Sequence, residues 1–275
     1  MKIKNLLAFI SILIIFSDCV AQDDFCNLSK YSYLVVGFYD IKIVDDYQSF
    51  KATQGTCFFV RKNNKLFLIS AKHLLTSWNP ETSTKNMLYP DKLNLRLFDT
   101  NDKVQFYVLD IKDINKAIEG AYTYNDPDVF IIEFEDDPKY KINSIEKFID
   151  DEISITQESN IRLYGYPTTF DFFGEEQMKA LPSLEPTLVE GKPLSKDSPY
   201  RDIRIRQLEN LNYAIQRTDT LPRAGCSGAP VFVETKKGWG FGGIFINSSP
   251  EVPISLILRN EFILPKIDEK FKSNK

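Results

Sequence analysis

The sequence predicts an all-β fold of two six-stranded antiparallel β-barrels, followed by a short C-terminal helix. About a dozen short segments are rich in β-branched and aromatic residues, and turn residues separate them. These segments fall into two sets, one before residue 140 and one after residue 160, which favours two barrels. The 275-residue chain is 43% apolar and 26% charged, so it can bury a sizeable core.

The first set of predicted strands contains a clear hairpin signal. Asn63 and Asn64 lie between two apolar runs, as is typical of a tight turn between antiparallel strands. The predicted strands of this set are residues 33–38, 55–60, 66–70, 93–98, 104–110 and 129–134.

The second set includes a segment, Ile203-Arg204-Ile205-Arg206, that alternates apolar and polar residues as a half-buried strand does. Residues 254–267 are the best helix candidate, and we expect Pro265 to break that helix. We place the N-terminal barrel in residues 22–145, and the C-terminal barrel with its helix in 146–275. The predicted strands of the second set are residues 161–164, 187–189, 203–207, 213–216, 229–233 and 241–246.

The first 21 residues have the pattern of a signal peptide. Lys2 and Lys4 precede an apolar run over residues 6–16, which is too short to span a membrane, and Cys19-Val20-Ala21 offers a small-residue cleavage site. We therefore expect a secreted or periplasmic protein without a membrane span. A competing interpretation makes Cys19 a lipid anchor and the protein a cell-surface lipoprotein.

Charge and composition exclude several functions. The net charge is −4, which gives no electrostatic reason to expect nucleic acid. One histidine and four cysteines without a CxxC pair give no common metal site, and we expect no cofactor. Three cysteines remain after cleavage, so at most one disulfide forms. Whether Cys57 bridges Cys226 stays open.

Three residues have the types and order of a nucleophilic catalytic site. His73 directly follows a predicted strand, Asp128 stands at the mouth of an apolar strand, and Ser227 lies in the glycine-bracketed turn Gly225-Cys226-Ser227-Gly228. Serine needs an imidazole to take its proton and a carboxylate to orient the imidazole. The backbone N–H groups of Gly225 and Ser227 could stabilise a negative oxygen.

Four further motifs accompany these residues: Gly55-Thr56-Cys57-Phe58-Phe59-Val60, Leu163-Tyr164-Gly165-Tyr166-Pro167, Ile215-Gln216-Arg217-Thr218-Asp219 and Gly242-Gly243-Ile244. With the ordered triad, this set resembles the chymotrypsin-fold serine proteases, and among them the bacterial trypsin-like peptidases of the high-temperature-requirement type. The resemblance covers roughly residues 50–250 and implies an exported serine endopeptidase that acts on polypeptides through an acyl-enzyme.

The resemblance also implies a substrate pocket, and Cys226 departs from the pattern of the family. The pocket walls would be residues 221–224 and 245–248, including Leu221, Ala224, Phe245 and Asn247. Leu221 stands where relatives selective for arginine or lysine carry an acid, so we expect a small or apolar residue before the scissile bond. Cys226 stands where relatives often carry Asp or Asn.

Four alternatives stay open. The barrels could form a catalytically inactive binding module, or the same triad could serve an esterase. Asp126 could replace Asp128 as the orienting acid. Cys226 could be the nucleophile, although the glycine frame around it would then shift by one residue.

Overall fold

A computed structural model of the chain describes residues 27–44, 47–79, 84–87, 90, 92–109, 127–150, 153, 155–168, 181–201, 210–221, 223–249 and 251–273. The predicted signal peptide, Cys19, Asp126 and the predicted strand 203–207 lie outside the described residues. Within these ranges, no helix is long and apolar enough to cross a membrane.

The N-terminal half forms an open half-barrel sheet with the strand order β7-β6-β1-β2-β3-β8, in which all neighbours are antiparallel. A separate hairpin of β4 and β5 follows β3 in the chain. The strands are β1 (Tyr33–Val44), β2 (Tyr47–Lys62), β3 (Lys65–Ser70), β4 (Thr76–Asn79), β5 (Thr84–Met87), β6 (Lys92–Phe98), β7 (Val104–Leu109) and β8 (Phe130–Phe134).

The predicted hairpin at Asn63 and Asn64 is confirmed. Both residues have a positive φ, 50° and 63°, and Lys62 pairs with Lys65 across the turn. A two-residue turn with both φ angles positive matches the right-handed twist of its strands, and asparagine tolerates this conformation better than most residues. The turn fixes the register of β2 against β3.

The C-terminal half is a closed six-stranded barrel with the order β10-β11-β14-β13-β12-β9. The fold prediction is therefore confirmed: the described residues are nearly all-β and form a closed barrel, a half-barrel sheet and one short C-terminal helix. The strands are β9 (Ile161–Gly165), β10 (Thr187–Pro193), β11 (Asn212–Arg217), β12 (Pro230–Thr235), β13 (Gly238–Ser248) and β14 (Ile254–Arg259), and the helix is α1 (Leu264–Ser273).

The predicted helix over residues 254–267 is wrong in its first half. Ile254–Arg259 is a strand that pairs with both β11 and β13 and so closes the barrel. A short apolar run does not distinguish strand from helix by its period, and here the two flanking strands decide. Pro265 lies in the first turn of α1, where its missing N–H costs nothing, so it begins the helix and does not break it.

Buried clusters fill each half of the fold and join the two halves. One fills the half-barrel around Phe59, Leu68 and Phe130, and another fills the closed barrel. A third joins the outer faces of both sheets, where the Phe58 and Phe241 ring centroids lie 5.4 Å apart. Ile267 of α1 also belongs to this third cluster. The proposed domain boundary at residues 145/146 falls beside it and stays a prediction.

Candidate active site

The pairing of β3 with β8 brings His73 and Asp128 together. The strands are antiparallel, and Ser70 at the end of β3 pairs with Phe130 at the start of β8. Residues just after Ser70 therefore lie beside residues just before Phe130. His73 is in the short 3₁₀ turn Lys72–Leu75, and Asp128 lies two residues before the start of β8.

Asp128 holds His73 at two points. One carboxylate oxygen, Oδ1, accepts the His73 backbone N–H at 2.8 Å, and Oδ2 lies 2.7 Å from the ring nitrogen Nδ1. An ionised carboxylate only accepts hydrogen bonds, so Nδ1 carries the proton and Nε2 of the neutral imidazole is left as an acceptor. The Asp128 side chain is 10% exposed and the His73 side chain 26% exposed, so the acid is shielded while the imidazole reaches solvent.

The Ser227 turn packs directly against the segment that carries His73. Thr56 on β2 donates its backbone N–H to the Ser227 carbonyl at 2.8 Å. Gly228 has a φ of +88°, and a Cβ there would lie 2.1 Å from the Thr56 oxygen and 2.2 Å from Ser70 Oγ. Only glycine permits this close approach of the turn to the end of β3.

The Ser227 side chain is nearly buried, and its hydroxyl donates to the Ile246 carbonyl oxygen at 3.0 Å. Ile246 lies on β13, so this bond ties the serine to the barrel wall that follows it in the chain. A nucleophilic role requires the same proton to pass to His73 Nε2.

The Thr56 hydroxyl connects three segments by hydrogen bonds. Its Oγ1 donates to the Gly225 carbonyl at 3.0 Å and accepts the Tyr166 backbone N–H at 3.0 Å, and its own carbonyl accepts Ser70 Oγ–H at 2.6 Å. Thr56 is fully buried, so each of these bonds is made away from water. One threonine thus joins the serine turn to the end of β3 and the end of β9.

Two backbone N–H groups at the serine turn have no acceptor among the described residues. The Ala224 carbonyl accepts Thr168 N–H at 2.6 Å, and the Cys226 carbonyl accepts Ala229 N–H at 3.0 Å. In a trans peptide the N–H points opposite to its carbonyl, so these bonds fix the direction of the Gly225 and Ser227 N–H groups. No acceptor for either N–H exists among the described residues.

Gly225 permits this arrangement because it has a φ of +87°, and a Cβ would lie 2.4 Å from the Tyr166 oxygen. A pair of free, preorganised N–H donors beside a serine hydroxyl is suited to holding the oxygen of a tetrahedral intermediate.

The cysteines near the site are free thiols in the structure. Cys57 and Cys226 are both fully buried. Burial raises the pKa of Cys226 to about 12, so this thiol stays protonated at neutral pH. A nucleophilic Cys226 is disfavoured on this ground. Within the described ranges, no group of three or more His, Cys, Asp or Glu side chains could hold a metal ion.

The residues predicted to wall the substrate pocket have different environments. Leu221 is 58% exposed, and Ala224 and Asn247 are also exposed. Phe245 is fully buried in the barrel core, and its carbonyl accepts the Gly228 N–H at 2.8 Å. The Phe245 side chain therefore packs the barrel while its backbone supports the serine turn.

Sequence reasoning overlooked several residues of this region. The Thr56 hydroxyl and the Ile246 carbonyl act through contacts that are distant in the sequence, and only the motif around Thr56 gave a signal. Arg217 and Arg223 are also buried beside the serine turn. Arg217 belongs to a motif noted in the sequence, but the charge of both side chains predicts exposed positions, so their burial is apparent only in the structure.

The two packed β-structures and the glycine-bracketed serine define the trypsin-like fold class. A thermostable serine protease, AL20, from an extremophilic microorganism aligns with a TM-score of 0.52 at 12% identity, covering 86% of this chain and 94% of that chain. Rv3671c of Mycobacterium tuberculosis H37Rv, in an inactive mutant form, aligns with a TM-score of 0.44 at 11% identity over 88% of this chain and 87% of that chain. No family model and no curated protein sequence matches the chain.

Proposed function

We propose that the chain is an exported serine endopeptidase with Ser227 as nucleophile, His73 as general base and acid, and Asp128 as the orienting acid. The observation that carries the proposal is the two-point hold of Asp128 on His73, with Nδ1 and Oδ2 2.7 Å apart, beside a serine turn with two free N–H donors. The similar fold of the serine protease AL20 agrees with it.

The reaction would proceed in two steps. Ser227 Oγ attacks the peptide carbonyl carbon while its proton passes to His73 Nε2, and the carbonyl oxygen becomes an oxyanion held by the Gly225 and Ser227 N–H groups. The C–N bond breaks as Nε2 returns the proton to the leaving amine. A water molecule then attacks the acyl-enzyme, with His73 again accepting the proton, and the free carboxylate product and serine hydroxyl result.

Ser227 must change its hydrogen bond for this chemistry. Its hydroxyl donates to the Ile246 carbonyl, so rotation about the Cα–Cβ bond has to redirect the proton toward His73. Staggered rotamers of an unbranched side chain interconvert readily, and one neutral hydrogen bond is worth about 1 kcal/mol. The redirection is therefore a small part of an enzymatic barrier.

A fluorophosphonate probe with intact-mass readout tests the proposal on the exported, full-length protein. We expect one covalent adduct at Ser227, with no adduct in the Ser227→Ala variant. We also expect loss of a triad member to slow peptide hydrolysis on the order of 10⁴-fold. Ser195→Ala is the matched control, since Ser195 is exposed on the turn that follows β10. Unchanged turnover of a mixed peptide library by Ser227→Ala would contradict the proposal.

The Ser227–Ile246 hydrogen bond also favours a second candidate, a protease-like binding module whose serine is held away from His73. The same probe separates the two functions. Folded protein that remains unlabelled supports the binding module, whereas labelling confined to Ser227 supports the enzyme. Comparison of peptide and ester substrates then distinguishes an endopeptidase from an esterase.

A further inference from the structure

Three charged side chains lie between the end of β11 and Ser227. Arg217 and Arg223 both donate to the carboxylate of Asp219. The Arg217 side chain is 0% exposed and the Arg223 side chain 4% exposed, so both guanidinium groups are largely removed from water. Two buried positive charges thus share one negative charge, and the cluster carries a net charge of about +1.

Arg217 places both of its Nη groups on protein acceptors, and only its Nε is buried without a partner among the described residues. Its Nη1 donates to the Leu221 carbonyl, and its Nη2 lies 3.3 Å from the carbonyl oxygens of both Ser249 and Val252. These bonds tie the segment before Ser227 to the turn between β13 and β14. Arg217 therefore stabilises the contact between two walls: the segment before Ser227, and β13 with the turn that follows it.

Arg223 has guanidinium N–H donors without an acceptor among the described residues. Of its three guanidinium nitrogens, only Nη2 has an acceptor within the described part of the chain, the Oδ2 atom of Asp219. Its Nε is buried without a partner. A buried guanidinium with open donors is costly unless an acceptor arrives from outside. Arginine also presents a planar fork that fits a carboxylate.

The position of Arg223 is set relative to the nucleophile. Its carbonyl accepts the Cys226 N–H at 3.1 Å, which makes it part of the same tight turn as Ser227. The opposite wall, β13, also contacts the serine, because Ser227 Oγ donates to the Ile246 carbonyl. In the proposed peptidase, the side chain of the residue that supplies the attacked carbonyl would enter between Arg223 and β13.

We propose that Arg223 is a specificity-determining residue that selects substrates with an acidic side chain immediately before the scissile bond. The substrate carboxylate would accept the open Arg223 donors and balance the second buried positive charge. This inference rests on the proposed peptidase function and names its substrate class. It replaces the small or apolar residue expected from Leu221, because Leu221 is exposed whereas Arg223 is buried.

The test compares peptides that differ only at this residue, Glu against Gln and Asp against Asn, with Ala, Leu and Lys peptides beside them. For the wild-type protein we expect kcat/KM to favour Glu over Gln by on the order of 10- to 100-fold, as one charge-assisted hydrogen bond allows. The preference should shrink in 1 M salt if the approach of the carboxylate is electrostatic. A Glu/Gln ratio near 1 in the wild type overturns the inference.

Two variants assign the effect to Arg223. Arg223→Gln should bring the Glu/Gln ratio close to 1, and Arg223→Lys should keep part of it, because the charge remains without the planar fork. Arg162→Gln is the matched control, since Arg162 lies on β9 of the same barrel and pairs with Glu190. An undiminished ratio in Arg223→Gln would contradict the assignment.

Fluorophosphonate labelling keeps this inference separate from the proposed function. A protein that is labelled at Ser227 and cleaves peptides, but without a preference for acidic residues, refutes the role of Arg223 alone. A folded protein that is neither labelled nor active refutes the peptidase function itself.

Discussion

Replacing Thr56 with valine should loosen the serine turn without changing the shape of the core. Valine keeps the volume of threonine but exchanges the hydroxyl for a methyl group. The substitution removes the bond from Thr56 Oγ1 to the Gly225 carbonyl and the bond from the Tyr166 N–H to Oγ1, both at 3.0 Å. Neither Gly225 nor Tyr166 can turn to water, because both are buried.

The expected cost follows from these two contacts. Each buried polar group left without a partner costs about 1–3 kcal/mol, so Thr56→Val should lower the free energy of unfolding by about 2–6 kcal/mol. That is a large share of the roughly 5–15 kcal/mol by which domains are stable. Thr56→Ser keeps the hydroxyl and loses one buried methyl group, which should cost about 1 kcal/mol.

Urea unfolding of both variants measures the difference, and the fluorophosphonate labelling rate of Ser227 reports the turn itself. We expect labelling to slow far more in Thr56→Val than in Thr56→Ser, because the Gly225 peptide loses its anchor. If the two variants unfold at the same urea concentration and label equally fast, the hydroxyl does not hold the turn and this reasoning fails.

Two further predictions concern Asp128 and Cys226. Asp128→Asn should leave the free energy of unfolding within about 2 kcal/mol of the wild type. It should slow Ser227 labelling on the order of 10³- to 10⁴-fold, because an amide no longer fixes the tautomer of His73. Asp137→Asn, a control at a partly exposed carboxylate that pairs with Lys139, should label normally, and equal rates in the two variants would refute the orienting role. Burial raises the pKa of Cys226 from 9.0 to about 12, so between these pH values the unfolded chain loses a proton that the folded chain keeps, and stability should fall by up to about 1.4 kcal/mol per pH unit. Urea midpoints from pH 8 to 10.5 should therefore fall less steeply for Cys226→Ala than for the wild type, and parallel slopes would exclude this contribution.

The local sequence pattern was sufficient to predict those features that depend only on neighbouring residues. The Asn63-Asn64 hairpin is one case, since the positive φ of both residues is a local property. Most strands are another, because β-branched and aromatic runs between turn residues pack well on a pleated sheet. The placement of His73 after one strand and of Asp128 before another was also visible locally, whereas their catalytic roles stay a prediction.

Long-range pairing decided the rest. Ile254–Arg259 became a strand because two neighbouring strands offered it backbone partners, which no local period reveals. The hydrogen bonds of Thr56 likewise depend on residues far away in the sequence. The burial of Arg223 is not suggested by its charged side chain. Sequence alone determined which chemical groups this protein carries and where each strand could begin. The tertiary structure alone decided which of those groups are removed from water and placed in contact, because burial and proximity are properties of the packed chain.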